Sequence, residues 1–187
     1  MFRKLYSIRQ NVGFRWKGFW VKMRLKSFGC SVGSNFKCWG SIHYRAIPKG
    51  NITIGNNVTF GRGVTLEIPE GGKLVIADHV HFADNILISG TGDISFGEWS
   101  AVAENVSIRS SFHEMSKDLP YRKQGNKKAP ISFGKDTGIG ANCSVLMGAV
   151  IPDGVFIGSS SLVTARDKME EYGIYGGNPL HFIKGRA

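Results

Sequence analysis

Cysteine is scarce in this sequence of 187 residues, and long apolar runs are missing. The three cysteines, Cys30, Cys38 and Cys143, are odd in number and lack a CxxC spacing, which argues against a disulfide framework and against a zinc ribbon. There is no run of about 18 apolar residues to cross a bilayer. The charged N-terminus also lacks the apolar centre of a secretion signal. We therefore expect a cytoplasmic protein.

Acidic residues are absent from the first 66 positions, which contain twelve lysines or arginines. The first acid is Glu67, and the net charge of +10 comes entirely from this first third of the chain. A basic segment of this kind can meet nucleic acid, an anionic membrane or a polyanionic substrate, or it can be a solvated arm without a dedicated partner. Peripheral contact of residues 1–29 with the inner face of an anionic membrane is one of these alternatives, and no nucleic-acid partner is expected.

A helical pattern runs through residues 1–29. Apolar residues recur there at steps of three or four, on one face of a helix: Phe2, Leu5, Ile8, Val12, Trp16, Phe19 and Met23. Lysine and arginine occupy the opposite face, and Gly13 and Gly18 are expected to divide or bend the helix. We expect the apolar stripe to pack on the body of the protein or on a neighbouring subunit, with attachment to a membrane interface as the alternative.

Glycine is abundant, with 25 residues, and the sequence after about residue 32 repeats every six positions. An aliphatic or aromatic anchor returns at this spacing in four blocks: Ile54, Phe60, Leu66; Ile76, Phe82, Ile88; Phe96, Val102, Ile108; and Phe133, Ile139, Val145, Ile151, Ile157, Val163. A fixed six-residue period predicts a parallel β-helix, in which each hexad is a short strand plus a corner and three hexads close one triangular coil.

The repeat divides the chain into three parts. Residues 1–29 form the basic arm, residues 30–165 form the β-helix, and residues 166–187 form a tail that caps the last coil against end-to-end pairing. The β-helix is interrupted by an excursion at about residues 113–130, and His113 stands at its start. Because the excursion also contains Arg122, Lys123, Lys127 and Lys128, it is either a phosphate-binding loop or a solvated basic surface.

The stretch from "FGKDTGIGANCSVLMGAV" through "IGSSSLV" to "GGNP" and "FIK", together with "NVSIRSSFH", resembles the hexapeptide-repeat acyltransferases. Within them it is most similar to sugar and polysaccharide O-acetyltransferases of the galactoside and maltose type. The resemblance implies an all-β fold, a left-handed parallel β-helix, and acetyl-coenzyme A as co-substrate. It also implies a homotrimer, in which each active site lies between two subunits.

The same resemblance implies roles for individual residues. His113 ends the pattern "NVSIRSSFH" and takes the position of the catalytic histidine, and Asn105 takes that of an asparagine that contacts the acceptor sugar. The coenzyme A contacts fall on four positions: Ala141, Ser159, Thr164 and Lys184. One departure is Gly138, because the family usually has tryptophan there, on the cofactor or acceptor path.

Acetyl transfer to a sugar hydroxyl requires a base, and neutral histidine suits this task near neutral pH. No Ser-His-Asp or Cys-His set is apparent in the sequence, so we expect direct attack in a ternary complex. The group that orients His113 is open between Glu114, Glu104 and a backbone carbonyl. A zinc site is not expected, because Asp118 stands where carbonic-anhydrase-like relatives of this fold have a second histidine.

The sequence thus predicts an acetyl-coenzyme A-dependent O-acetyltransferase acting on a sugar, in surface polysaccharide or glycan biosynthesis. One alternative is an N-acetyltransferase acting on an amino-sugar nucleotide. A second alternative is a non-catalytic β-helix that scaffolds other proteins or binds a polyanion. The remaining histidines, His43, His79, His81 and His181, are interpreted as surface or tail residues without a catalytic role.

Overall fold

A computed structural model describes residues 2–187, with side chains described from residue 13 onward. One helix, α1 (Phe2–Ser27), precedes a series of short strands. The first twelve strands are β1 (Ser31–Val32), β2 (Lys37–Cys38), β3 (His43–Tyr44), β4 (Ile52–Ile54), β5 (Thr59–Phe60), β6 (Thr65–Glu67), β7 (Leu74–Ile76), β8 (His81–Phe82), β9 (Leu87–Ser89), β10 (Ile94–Phe96), β11 (Ala101–Val102) and β12 (Ser107–Arg109).

The other ten strands include two hairpins. They are β13 (Ser111–His113), β14 (Asn126–Lys128), β15 (Ile131–Phe133), β16 (Gly138–Ile139), β17 (Ser144–Leu146), β18 (Val150–Ile151), β19 (Phe156–Ile157), β20 (Leu162–Val163), β21 (Gly173–Gly176) and β22 (His181–Gly185). A short 3-10 helix, Tyr121–Lys123, lies between β13 and β14.

The strands form three parallel sheets that are the faces of a left-handed β-helix with about seven turns. Sheet I has the order β1-β4-β7-β10-β15-β18, sheet II begins β2-β5-β8-β11-β16-β19, and sheet III has the order β3-β6-β9-β12-β17-β20. Each coil therefore contributes one strand to each face, and coils stack at the interstrand spacing of about 4.8 Å. The fold class predicted from the six-residue period is confirmed.

The hexad anchors form the core. All fifteen predicted anchors are buried, with relative exposures between 0% and 3%. They point inward because successive side chains of a strand alternate between its two faces, and each anchor stacks on the anchor of the next coil. The first coil, which fits the repeat poorly in sequence, uses Val32 and Cys38 as buried anchors and half-buried Tyr44 as the third.

The corners between the sheets need a left-handed backbone. At the corner between sheets II and III, which we call the II–III corner, these residues have φ near +60°: Gly63, Asn85, Asn105, Asn142 and Ser160. Asparagine tolerates this conformation better than most residues because its short side chain can hydrogen-bond locally. The corner thus becomes a line of small polar groups that runs parallel to the β-helix axis.

Helix α1 packs on the first coil, but not through the predicted apolar stripe. Trp16, Phe19 and Met23 are exposed by 63%, 51% and 47%, so their predicted packing on the body of the protein is wrong. The other members of the stripe, Phe2, Leu5, Ile8 and Val12, lie outside the residues whose side chains the structure describes. Contact with a neighbouring subunit or a membrane remains open for this face.

The face that does pack on the β-helix is built around Gly18 and Leu25. Leu25 is fully buried, and the ring of Phe14 stacks on Trp39 with a centroid distance of 4.5 Å. A Cβ atom on Gly18 would lie 2.8 Å from the carbonyl oxygen of Phe36, so only glycine permits this approach. The expected break at Gly13 or Gly18 is wrong, because α1 continues through both and uses Gly18 for close packing.

The C-terminal strands close the other end. Strand β21 adds to sheet II beside β19, and β22 pairs antiparallel with β21 at the edge. The Arg186 side chain forms an ion pair of 2.9 Å with Asp136 and donates to the carbonyl oxygen of Gly154, which fastens the tail to the last coils. No helical segment among the described residues is both long enough and apolar enough to cross a membrane.

Candidate active site

The excursion after β12 is a β-hairpin, and His113 is the last residue of its first strand. Strands β13 and β14 pair antiparallel, and His113 lies opposite Asn126. The chain leaves the coil at Ser110, whose fully buried hydroxyl donates to the carbonyl oxygen of Gly92 at 2.7 Å. This bond holds the first residue of the excursion against the β-helix, so His113 is carried on a fixed support.

The imidazole of His113 has a backbone partner. Its Nδ1 atom lies 3.4 Å from the carbonyl oxygen of Gln124, and the Tyr121 ring meets it edge-on at a centroid distance of 5.0 Å. A carbonyl oxygen can only accept, so this contact favours the tautomer with a proton on Nδ1 and a free lone pair on Nε2. Of the three orienting groups left open by the sequence, the structure selects a backbone carbonyl.

Gln124 is itself fixed by its side chain. Its Nε2 atom donates to the carbonyl oxygens of Ser116 and Leu119, both at 2.7 Å, and its Oε1 atom accepts from the main-chain N–H of Ser116 at 2.7 Å. Three bonds from one amide close the loop across the tip of the hairpin. Gln124 therefore determines where the carbonyl that faces His113 lies.

A cleft of about 500 Å³ lies beside the hairpin, on the opposite side from His113. Its walls include Phe112, Leu146, Thr164 and Leu180. Because side chains alternate along β13, a strand that turns Phe112 toward this cleft turns His113 away from it. His113 therefore lies on the side of β13 that faces away from this cleft.

Asn105, the predicted acceptor contact, occupies the II–III corner and belongs to a ladder of amides. Its Oδ1 atom accepts from Nδ2 of Asn85, and its own Nδ2 atom donates to Oδ1 of Asn142, both at 3.2 Å. Asn105 therefore supports the corner, while one N–H and one lone pair remain free for a ligand. A second cleft, of about 540 Å³, begins at Asn105 and extends toward the first coil.

The four predicted cofactor residues do not lie together. Ala141 and Ser159 are neighbours on the II–III corner in successive coils, where the N–H of Ser160 donates to the carbonyl oxygen of Ala141 at 2.8 Å. Thr164 lies beyond β20 at the opposite edge of sheet III, and its hydroxyl donates to Asp167 at 2.8 Å. Lys184 is exposed on β22 at the edge of sheet II.

The ring of Phe156 lies against Gly138, where the resembled family usually has tryptophan. Gly138 is paired with Phe156 of the next coil, and a Cβ atom on Gly138 would overlap the Phe156 ring. An aromatic side chain from the neighbouring coil thus covers the position. This compensation is invisible to a residue-by-residue sequence comparison because the two residues are one coil apart.

The cysteines and the potential metal ligands do not form a second reactive site among the described residues. All three cysteines are buried, and burial raises the pKa of the thiols of Cys38 and Cys143. A thiol held in its neutral form is a poor nucleophile, so neither cysteine suits an acyl-enzyme mechanism. Among the side chains of residues 13–187, no three from histidine, cysteine, aspartate or glutamate converge in a way that could hold a metal ion.

The β-helix with its hexapeptide repeat and its hairpin is an arrangement that named acetyltransferases and acyltransferases share. The chain is 32% identical over 147 residues to a Mycobacterium tuberculosis protein named as an acetyltransferase, covering 78% of this chain and 48% of that protein. It is 27% identical over 143 residues to WbbJ of Escherichia coli, named for O-acetyl transfer in lipopolysaccharide biosynthesis, with 72% of each chain covered. No protein-family model matches.

A solved structure of an N-acyltransferase has a similar fold. AntD from Bacillus cereus, an N-acyltransferase crystallised with dTDP and 3-hydroxybutyryl-coenzyme A, superposes with a TM-score of 0.73 at 26% identity, over 89% of this chain and 88% of that one. In sequence and in fold the chain is thus similar to acetyltransferases and acyltransferases, and its β-solenoid is consistent with those of the hexapeptide-repeat type. It spans about half the length of the first curated relative and between 62% and 72% of two others.

Proposed function

We propose that this chain is an acetyl-coenzyme A-dependent O-acetyltransferase that modifies a sugar hydroxyl in surface polysaccharide or glycan biosynthesis. The observation that carries the proposal is the placement of His113, whose Nδ1 atom faces the Gln124 carbonyl and whose Nε2 atom is left to act as a base. AntD, crystallised with an acyl-coenzyme A, has the same fold, and the sequence relative WbbJ is named as an O-acetyl transferase of lipopolysaccharide biosynthesis.

The reaction is a single displacement. Nε2 of His113 takes the proton of the acceptor hydroxyl as the hydroxyl oxygen attacks the thioester carbonyl, so an O–C bond forms and the C–S bond breaks. The proton then passes from His113 to the departing thiolate, which leaves as coenzyme A. A main-chain N–H at a corner is suited to stabilise the oxyanion, because such donors are fixed before the reaction begins.

The II–III corner suits the thin arm of coenzyme A. Ala141 and Ser159 have small side chains, which leaves the main chain of two successive coils accessible to a ligand. Three exposed cations of the C-terminal region, Arg166, Lys168 and Lys184, are suited to the phosphates of the nucleotide. Thr164 would contribute only to a ligand that also crosses sheet III.

The separation of His113 from this corner supports a homotrimer with shared sites. Asn105 and His113 lie at opposite ends of β12, on the two edges of sheet III. One chain cannot place both at the same reacting atom, because the strand and its face lie between them. A neighbouring subunit that presents its hairpin to this corner would complete the site.

N-acetyl transfer to an amino-sugar nucleotide is the second candidate function. The similarity to AntD, an N-acyltransferase crystallised with dTDP, favours it. The two candidates differ in the acceptor atom and share the acyl donor. Incubating the purified protein with acetyl-coenzyme A and a panel of sugars, amino sugars and their nucleotide forms, followed by mass detection of the acetylated product, separates them. Acetylated amines without any acetylated hydroxyl would contradict O-acetyl transfer.

We further propose that α1 holds the protein at the inner, cytoplasmic face of a membrane. Trp16, Phe19 and Trp20 form an exposed cluster whose ring centroids lie between 5.7 and 6.4 Å apart, next to exposed Met23. Tryptophan and phenylalanine on a cationic helix are suited to the interface of an anionic bilayer. An acceptor assembled on a lipid would then be within reach of the site.

A further inference from the structure

The corner between sheets I and II, which we call the I–II corner, carries two aromatic rings on a left-handed backbone. The first two coils have Asn35 and Asn57 at this corner. The third and fourth coils have His79 and Trp99 there, with φ of 62° and 64°. A bulky side chain is rare in this conformation, which asparagine tolerates better. Since Trp99 is also 62% exposed, packing of the corner does not account for a tryptophan at this position.

The ring of Trp99 is held by the coils that precede it. The imidazole of His79 stacks on the indole with a centroid distance of 4.0 Å and an interplanar angle of 3°. Nε2 of His79 lies 3.5 Å from Nδ2 of Asn57, whose Oδ1 atom accepts from Asn35 at 2.8 Å. A line of side chains from three coils therefore covers one face of the indole and fixes its orientation.

The other face of Trp99 borders a cleft of about 380 Å³, which is lined from the fourth coil onward, on the side away from His79. Phe156 stands across the cleft, and Ala101 and Gly138 line it from the outer face of sheet II. Trp99 and Phe156 come from coils two steps apart, which separates them by about 10 Å along the β-helix axis. Contacts of about 4 Å on each side would fill most of this width. The cleft therefore suits a single six-membered ring.

An ion pair supplies polar groups to the same cleft. Nη1 of Arg186 lies 2.9 Å from Oδ2 of Asp136 and also donates to the carbonyl oxygens of Asp136 and Gly154. Among the side chains that the structure describes, Oδ1 of Asp136 and the Nε and Nη2 atoms of Arg186 have no hydrogen-bond partner. They match the hydroxyl groups of a sugar, each of which donates and accepts. Because the two charges neutralise each other, a neutral ligand suits the cleft better than a phosphate.

From this arrangement we infer that the I–II corner is a binding site for a neutral pyranose ring of a glycan, at a sugar that is not itself acetylated. A pyranose has C–H groups on its faces and hydroxyl groups at its rim. The faces pack on Trp99 and Phe156, while the rim hydrogen-bonds to Asp136 and Arg186. The choice of a glycan as ligand rests on the proposed acetyl transfer to a sugar.

This glycan site is separate from the proposed active site. Asn105 and His113 lie at the two edges of sheet III, and the I–II corner is the vertex opposite that sheet. A neighbouring subunit that completes the active site beside sheet III leaves this vertex exposed. The I–II corner therefore holds a sugar of a longer acceptor outside the reacting centre, and a monosaccharide acceptor lacks this contact.

Calorimetry with three neutral trisaccharides (maltotriose, cellotriose and chitotriose) tests the site in the absence of acetyl-coenzyme A. We expect at least one of them to bind, and Trp99→Asn to weaken that binding about fivefold or more through loss of the stacked ring. Trp20→Asn is the matched control and should not change the binding, because Trp20 is 56% exposed but lies on α1, at the other end of the β-helix from Arg186. Trp99→Asn should unfold at the same or a higher urea concentration than the unmodified protein, because asparagine suits a φ of 64°.

A variant of the II–III corner separates this site from the active site. Ser159→Trp, which places a bulky side chain at that corner, should bind the trisaccharide as the unmodified protein does. The inference is overturned if no trisaccharide binds, if Trp99→Asn binds as well as the unmodified protein, if Ser159→Trp abolishes the binding, or if only adenosine binds through Trp99. A protein that binds the trisaccharide through Trp99 but acetylates no acceptor would contradict the proposed function and leave the glycan site in place.

Discussion

Nδ1 of His113 faces the carbonyl oxygen of Gln124 at 3.4 Å, across the hairpin that leaves the β-helix after β12. The contact joins the candidate base to a residue whose side chain makes three hydrogen bonds within the same loop. The tautomer and direction of His113 are therefore consequences of how the excursion folds, and residues outside the reacting centre are expected to affect its chemistry.

Replacing Gln124 tests this dependence. We expect Gln124→Ala to lower kcat about tenfold, because loss of about 1.4 kcal/mol of orientation at the base costs one decade in rate. The KM for acetyl-coenzyme A and the melting temperature should not change, since Gln124 lies in an exposed loop. Gln124→Glu, which keeps the acceptor Oε1 and loses the two donated bonds, should fall between. An unchanged kcat in Gln124→Ala would show that the side chain of Gln124 does not orient His113.

The pairing of Gly138 with Phe156 predicts that a side chain at position 138 destabilises the protein only while Phe156 is present. Gly138→Ala should lower the free energy of unfolding by about 1–3 kcal/mol, because the new methyl group overlaps the Phe156 ring. Phe156→Ala in the same chain should recover most of this loss. Gly185→Ala is the control, since a Cβ atom there meets nothing within 4 Å. Urea unfolding at one protein concentration measures five proteins: the unmodified protein, the two single variants Gly138→Ala and Phe156→Ala, the double variant and Gly185→Ala. An equal loss from Gly138→Ala with and without Phe156 would refute the pairing.

The exposed aromatic cluster of α1 predicts binding to anionic vesicles. The unmodified protein should float with phosphatidylglycerol vesicles at low salt, less at high salt, and little with phosphatidylcholine. Replacing Trp16, Phe19 and Trp20 with serine should abolish flotation. Val150→Ser, which removes a side chain that is 60% exposed on sheet I, should have no effect. Equal flotation of the triple variant would rule out this surface.

A shared active site predicts complementation between subunits. His113→Ala removes the base, and Ser159→Trp blocks the II–III corner, so each variant alone should be inactive. Trimers assembled from equal amounts of both should regain about one quarter of the unmodified activity, because that fraction of sites pairs an intact hairpin with an intact corner. If mixed trimers form without regaining activity, each site is contained within one chain or needs both residues from the same subunit.

The sequence was most informative where a period constrains packing. Every predicted anchor is buried, because only inward positions recur at six residues in such a coil. The first coil departs from the pattern of large apolar anchors, because a cysteine, Cys38, occupies one anchor position. The apolar stripe on α1 does not identify the packed face of the helix, because spacing shows that side chains share a face and does not show which face packs. There, close approach at Gly18 decided which face meets the first coil.

Contacts with the main chain or across coils were beyond sequence reasoning. The partner of His113 is a carbonyl oxygen, which every residue has, so no residue type signals it. The ladder through Asn105 depends on which corners stack, and Phe156 covers Gly138 from one coil away.

Acetyl transfer by the His113→Ala variant tests the central claim most directly. Initial rates of coenzyme A release, measured with an acceptor found by the product screen, should fall between about 100-fold and about 10,000-fold, the usual contribution of a general base. His181→Ala, at an exposed histidine of β22, should keep the unmodified rate. Full activity in a folded His113→Ala protein would contradict the account.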